Sequence, residues 1–189
     1  FPPDWLAEAN LFHVSHAIYD DAQGQMQGRF YYNGLLAQSS SYKTPMEPSI
    51  TRGKTQFMLF PEMEGFSGEQ PIKAGVRVLS VAIFDRPLNA AEMRQSFLDG
   101  PPWGKAAAPA KPIQTLGFYR FAGASGTQIA NESEQALLGS FDLGRPELAE
   151  WTPRGLKVTT GANIRMVDKN RQLKKAWLEN KGLTFELWF

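Results

Sequence analysis

Val76-Arg77-Val78-Leu79-Ser80-Val81-Ala82-Ile83-Phe84 runs directly into Asp85-Arg86-Pro87-Leu88-Asn89 and then into Ala90-Ala91-Glu92-Met93-Arg94-Gln95-Ser96-Phe97. The first nine residues are rich in Val and Ile, whose branched side chains suit a pleated sheet, so they predict a buried strand. Asp85 to Asn89 ends that strand. Asn89 caps a short helix over 90–97, with Glu92 at the third helical position completing a capping box, and Gly100 stops it.

Working outward, Phe12 to Tyr19 and Gly28 to Tyr32 are apolar or aromatic runs separated by Asp20-Asp21-Ala22-Gln23-Gly24. That is turn chemistry between two strands, and a hairpin follows. Asn33-Gly34 marks the next reversal, because both residues tolerate positive φ. Gln56 to Phe60 predicts a short strand and Thr115 to Phe121 another. Trp151 to Val158 reads as a turn leading into a strand, and Leu173 to Glu179 as a short helix. Thr184 to Phe189 alternates large apolar residues with Thr and Glu, the pattern of a half-buried strand. Many short strands separated by turns predict an all-β fold, with two antiparallel sheets face to face and one or two short helices.

Between the two halves lies Pro101-Pro102-Trp103-Gly104-Lys105-Ala106-Ala107-Ala108-Pro109-Ala110-Lys111-Pro112, rich in Pro and Ala and without apolar alternation, as in a semi-rigid connector. It divides the chain into 1–100 and 113–189. Each part, of about 100 and about 77 residues, is near the lower end of domain size.

The 189 residues carry 20 basic and 19 acidic side chains, so no charge excess favours nucleic acid or an anionic membrane. There is no cysteine, which excludes disulfides, thiolate metal sites and cysteine nucleophiles. No span approaches the roughly 20 apolar residues of a membrane helix, and the start has no signal-peptide pattern. Phe1 in place of methionine, and an ending within a strand-like run, lead us to expect a piece of a longer polypeptide.

Three stretches together resemble laminin-G-like, concanavalin A-like lectin/glucanase jelly rolls, in the divergent forms appended to large bacterial surface or exported proteins. Phe12-His13-Val14 through Tyr19-Asp20, followed by Tyr31-Tyr32-Asn33-Gly34, looks like the family's central hairpin. Val81-Ala82-Ile83-Phe84-Asp85-Arg86-Pro87-Leu88 with Ala91-Glu92-Met93 looks like its closing strand and helix. Leu116-Gly117-Phe118-Tyr119-Arg120-Phe121 and Leu183-Thr184-Phe185-Glu186-Leu187-Trp188 look like its opening strands. The resemblance therefore implies the C-terminal part of one module, a linker, and the N-terminal part of a second. First and last strands of this fold lie side by side, so the two pieces either assemble as one circularly permuted sandwich or form an incompletely closed fragment. It further implies an extracytoplasmic location and a non-catalytic recognition or adhesion role toward a carbohydrate or another protein. A structural spacer beside catalytic modules is the alternative, and a diverged glycosidase a third.

For sugar binding, flat aromatic faces beside amides or carboxylates are needed. Tyr31, Tyr32, Asn33, Tyr42 and Trp103 are the candidates, set against the ordinary expectation that alternating aromatics such as Phe30 and Tyr32 pack a sheet. Trp151, Trp177 and Trp188 are expected in the core. Calcium is the cofactor the resemblance implies, with Asp20, Asp21 and Asn33 as oxygen donors, although no complete oxygen-rich loop is present.

The two histidines, His13 and His16, fall on opposite faces of a strand and do not jointly hold a metal. No G-x-S-x-G, H-E-x-x-H or phosphate-loop motif occurs. A retaining glycosidase needs two carboxylates about 5 to 5.5 Å apart. Glu62-Met63-Glu64 lies between Pro61 and Gly65 and reads as a loop, and Glu186 is expected on a solvent-facing polar face.

Overall fold

Asp21 sets the first turn. Its Oδ1 accepts the backbone N–H groups of Gln23 and Gln25, both at 2.9 Å, and its Oδ2 accepts from Gln27 Nε2 at 2.7 Å. The chain therefore folds back, pairing β1 (His13–Asp20) with β2 (Met26–Tyr32) in antiparallel register. Asn33 and Gly34 then adopt φ of 50° and 71°, the paired left-handed conformation of a tight hairpin turn, and β3 (Leu35–Tyr42) follows. Both expected reversals are present. The computed structural model describes residues 11–42, 55–59, 76–100, 115–159 and 161–189.

The chain continues through β4 (Thr55–Leu59), β5 (Val76–Val78), β6 (Ser80–Phe84), α1 (Ala90–Asp99), β7 (Thr115–Arg120), β8 (Gln128–Ile129), β9 (Phe141–Leu143), β10 (Ala149–Thr152), β11 (Gly155–Val158), β12 (Ile164–Asp168), α2 (Gln172–Asn180) and β13 (Gly182–Trp188). All described pairings are antiparallel, in three sheets: β3-β2-β1-β13-β6-β7, β4-β12-β9-β8 and β10-β11-β5. β1 and β13 are neighbours, and so are β6 and β7. Strands from both sides of 101–112 thus share the six-stranded sheet, while 101–112 itself lies outside the described residues.

The six-stranded and four-stranded sheets face each other. Phe57 of β4 stacks on Phe185 of β13 with ring centroids 5.1 Å apart, and Phe141 of β9 meets Tyr119 of β7 edge-on at 4.4 Å. These rings join Val81, Ile83, Ile164, Met166 and Leu183 in one core. Each fully buried large side chain there contributes about 2 to 3 kcal/mol. The core shows an all-β, sandwich-like architecture.

Two expected elements differ from the sequence reading. Val76 to Phe84 is not one strand: it breaks at Leu79, so β5 joins β11 while β6 joins β13 and β7. Such a strand turns a corner between sheets. Gly155, at φ 143°, makes the corner possible, because any Cβ there would collide with the Val78 carbonyl oxygen. Trp151 to Val158 forms the hairpin β10–β11 instead of a turn and one strand.

The helices are capped by different means. Asn89 Oδ1 accepts from Ala91 and Glu92 N–H, and Glu92 Oε2 accepts from Asn89 N–H, completing the expected box. Glu92 also receives a bidentate Arg86 at 2.7 and 3.0 Å, which ties the end of β6 to the helix. At α2, buried Asp168 takes that place, accepting from Gln172 and Leu173 N–H at 2.8 Å each. No helix among the described residues is long and apolar enough to cross a membrane.

Candidate functional site

The hairpin register sorts β1 and β2 into two faces. Val14 faces Tyr32, His16 faces Phe30 and Ile18 faces Gly28 on the side toward the four-stranded sheet; Ser15 faces Tyr31 and Ala17 faces Arg29 on the other. Tyr31 and Tyr32 therefore point in opposite directions. Tyr31 is 1% exposed, packed with Ala17, Leu88 and Met93 beneath α1, and offers no ring to a ligand. Tyr32 is 39% exposed and Phe30 37%, and neither belongs to the core, contrary to the expectation that both pack the sheet.

Around these two rings an aromatic surface forms. Phe12 lies 5.6 Å from Tyr32 and 5.8 Å from Phe189, and the His16 ring is tilted 6.1 Å from Phe30. Gln38 of β3 pairs in register with Phe30 and is exposed beside it. Partial burial lowers the His16 pKa, so at neutral pH its ring is an uncharged imidazole with one donor and one acceptor nitrogen. Apolar ring faces flanked by a neutral imidazole and an amide suit a ligand that stacks and forms hydrogen bonds. Phe12, His16 and Gln38 were not legible as site residues; the signal was the cross-strand register, which emerges only once the Asp21 turn fixes pairing.

The remaining sequence candidates that the structure describes do not converge there. Asn33 Oδ1 accepts the His13 N–H at 3.0 Å, locking the β2–β3 turn. Tyr42 lies at the far end of β3, opposite Met26. Trp103 and Glu62-Met63-Glu64 lie outside the described residues. Asp20 and Asp21 stand at one end of the eight-residue β1 and Asn33 at the other, about 24 Å away. Those three cannot share a calcium ion, and the Asp21 oxygens are already occupied by the turn. Among the described residues, no three His, Cys, Asp or Glu side chains gather to hold a metal. Trp177 and Trp188 are buried, and Trp151 is half-buried at the core margin with its Nε1–H donating to Gly126 O.

The expectation for Glu186 is overturned. It is 5% exposed because α1 crosses the face it occupies, and Ser96 Oγ of α1 donates to its Oε2 at 2.9 Å. His13, fully buried, lies beside it with Nε2 3.6 Å from Glu186 Oε1 and 3.1 Å from Ser15 Oγ. Its ring stacks on Trp188 at 4.6 Å. A hydrolytic triad needs the serine on one imidazole nitrogen and the acid on the other. Here both approach Nε2, Nδ1 has no hydrogen-bond partner, and the helix seals the group from substrate. As expected from their spacing, His13 and His16 lie on opposite faces.

Elsewhere, Asp85, Glu179, Lys175, Gln172 and Gln135 line an open groove of about 160 Å³ beside α2. Burial raises the Asp85 pKa, and Glu179 adds to that against the opposing charge of Arg86. No protein-family model, curated protein or solved structure matches the chain.

Proposed function

We propose that the chain is a non-catalytic recognition module that binds carbohydrate on the aromatic surface of β1 and β2, within the laminin-G-like, concanavalin-type jelly-roll class its motifs resemble. The observation that carries this reading is the pair Phe30 and Tyr32, on one face of β2 and outside the core, with Phe12, His16 and Gln38 around them. Stacking on the apolar face of a pyranose uses the rings, and hydroxyl groups use the imidazole and amide. On the resemblance, the module belongs to an exported protein and works outside the cytoplasm.

A glycan-array screen of the purified chain, with calcium and with a chelator, tests this. Saturable binding in both conditions is expected, since the calcium candidates do not converge. Phe30→Ala and Tyr32→Ala should each weaken it about tenfold while leaving the far-ultraviolet dichroism intact, in line with about 1 kcal/mol or more per stacked ring. Absence of any glycan binding by folded protein would refute the reading and favour the spacer.

A further inference from the structure

The six-stranded sheet has two edges, and the chain treats them differently. At β7 the outer edge is closed. Asn131 Oδ1 accepts from Phe118 N–H and its Nδ2 donates to Leu116 O, Glu132 N–H donates to Phe118 O, and Leu138 N–H donates to Leu116 O. The 131–138 segment thus occupies the backbone groups with which another strand would pair. At β3, by contrast, β2 is the only strand partner among the described residues. Residues 35–39 and 41 are exposed.

Open edge strands are ordinarily blunted by charge or proline. Leu35-Leu36-Ala37-Gln38-Ser39-Ser40-Ser41-Tyr42 contains neither. Leu35 and Leu36 are also 61% and 55% exposed, more than any other large hydrophobic side chain among the described residues. Register places them on opposite faces, Leu35 beside Tyr32 and Leu36 beside Tyr31. A strand laid along β3 would therefore satisfy backbone groups and shelter apolar side chains on both faces.

We propose that this edge is a self-association surface on which β3 pairs antiparallel with β3 of a second copy of the chain. The absence of charge suits that occupant, since nothing on the strand repels its own copy across a two-fold axis. One symmetric contact also covers the exposed leucines of both copies at once, which a foreign strand would do for one copy only. The inference rests on the backbone edge of β3 and not on the rings of β2, although Gln38 of β3 borders both surfaces.

The test is a charge swap at Ser39, which lies exposed and opposite Arg29. Ser39→Glu gains a cross-strand partner in Arg29 within one copy, so folding is spared, while the proposed two-fold axis at Ser39, near the middle of β3, sets the two glutamates opposite each other. Sedimentation velocity of the whole chain from about 5 to 500 µM, the range that reveals weak dimers, should show a concentration-dependent dimer. Ser39→Glu and Ser39→Lys should each raise the dissociation constant about tenfold or more, and an equimolar mixture of the two should restore dimerisation. Ser125→Glu, exposed just beyond β7 at the opposite edge of the sheet, should leave it unchanged. A monomer throughout that range would overturn the proposal, as would a dimer indifferent to Ser39→Glu or a mixture that fails to recover.

Discussion

Removing either partner of the buried His13–Glu186 pair should cost more than removing both. The two side chains are 0% and 5% exposed, and their closest atoms are 3.6 Å apart. Glu186→Met keeps the approximate length of the side chain but removes the carboxylate beside the buried imidazole, whose side-chain hydrogen bond is to Ser15. His13→Phe keeps the ring that stacks on Trp188 but removes the imidazole 3.6 Å from Glu186 Oε1, an oxygen that has no hydrogen-bond partner of its own. Leaving one buried polar group without its neighbour costs about 1 to 3 kcal/mol, a sizeable share of the 5 to 15 kcal/mol that typically holds a domain folded. Replacing both with apolar groups removes the stranded polarity, so the double variant should be close to wild type, with a coupling energy of about 2 kcal/mol or more. Urea unfolding followed by tryptophan fluorescence gives the four midpoints, compared at unchanged m-value. Single effects that add within about 0.5 kcal/mol would refute the idea that the two groups act as a unit. A double variant more stable than wild type would show that the pair is retained for something other than stability.

Two further predictions concern turns and edges. Asn131 donates from Nδ2 to Leu116 O and Leu138 O, so Asn131→Asp sets carboxylate oxygen against both carbonyls and should cost about 3 kcal/mol. Urea midpoints check this, and a loss under about 1 kcal/mol would mean that the 131–138 segment is held otherwise. Asp21 is depressed below its ordinary 3.8, first by the Gln25 N–H bond and then by Gln27 and Gln23. A depressed folded-state pKa gives stability that is present above the unfolded value and lost as pH falls through the folded one. The hairpin should therefore weaken on acidification below pH 3.8, and Asp21→Asn should flatten that part of the stability-against-pH curve. Equal acid slopes in the two proteins would discount the turn's contribution.

Much of the fold could be read from local chemistry. The Asp20–Gly24 turn, Asn33-Gly34 and the Asn89–Glu92 box each depend on residues within a few positions of one another, and each is found where the sequence places it. The shortest strands were not legible: β8 and β9 span two and three residues, too few to show alternation. β12 does alternate, with Ile164, Met166 and Asp168 buried, yet it gains its identity from β4 and β9, which are distant in sequence.

The candidate site divides along the same line. Sequence by itself determined that aromatic residues gather around the first hairpin, that no cysteine chemistry is available, and that His13 and His16 diverge. The tertiary structure decided which rings reach solvent. Tyr31 and Glu186 are hidden because α1 lies across their face, anchored by Ser96, Met93 and the close approach of Phe97 to Gly34. Phe30 and Tyr32 are exposed because they fall outside the core formed between the two facing sheets. Alternation along a strand reports that two faces differ. What covers each face is set by elements far away in the chain, and local sequence does not carry that information.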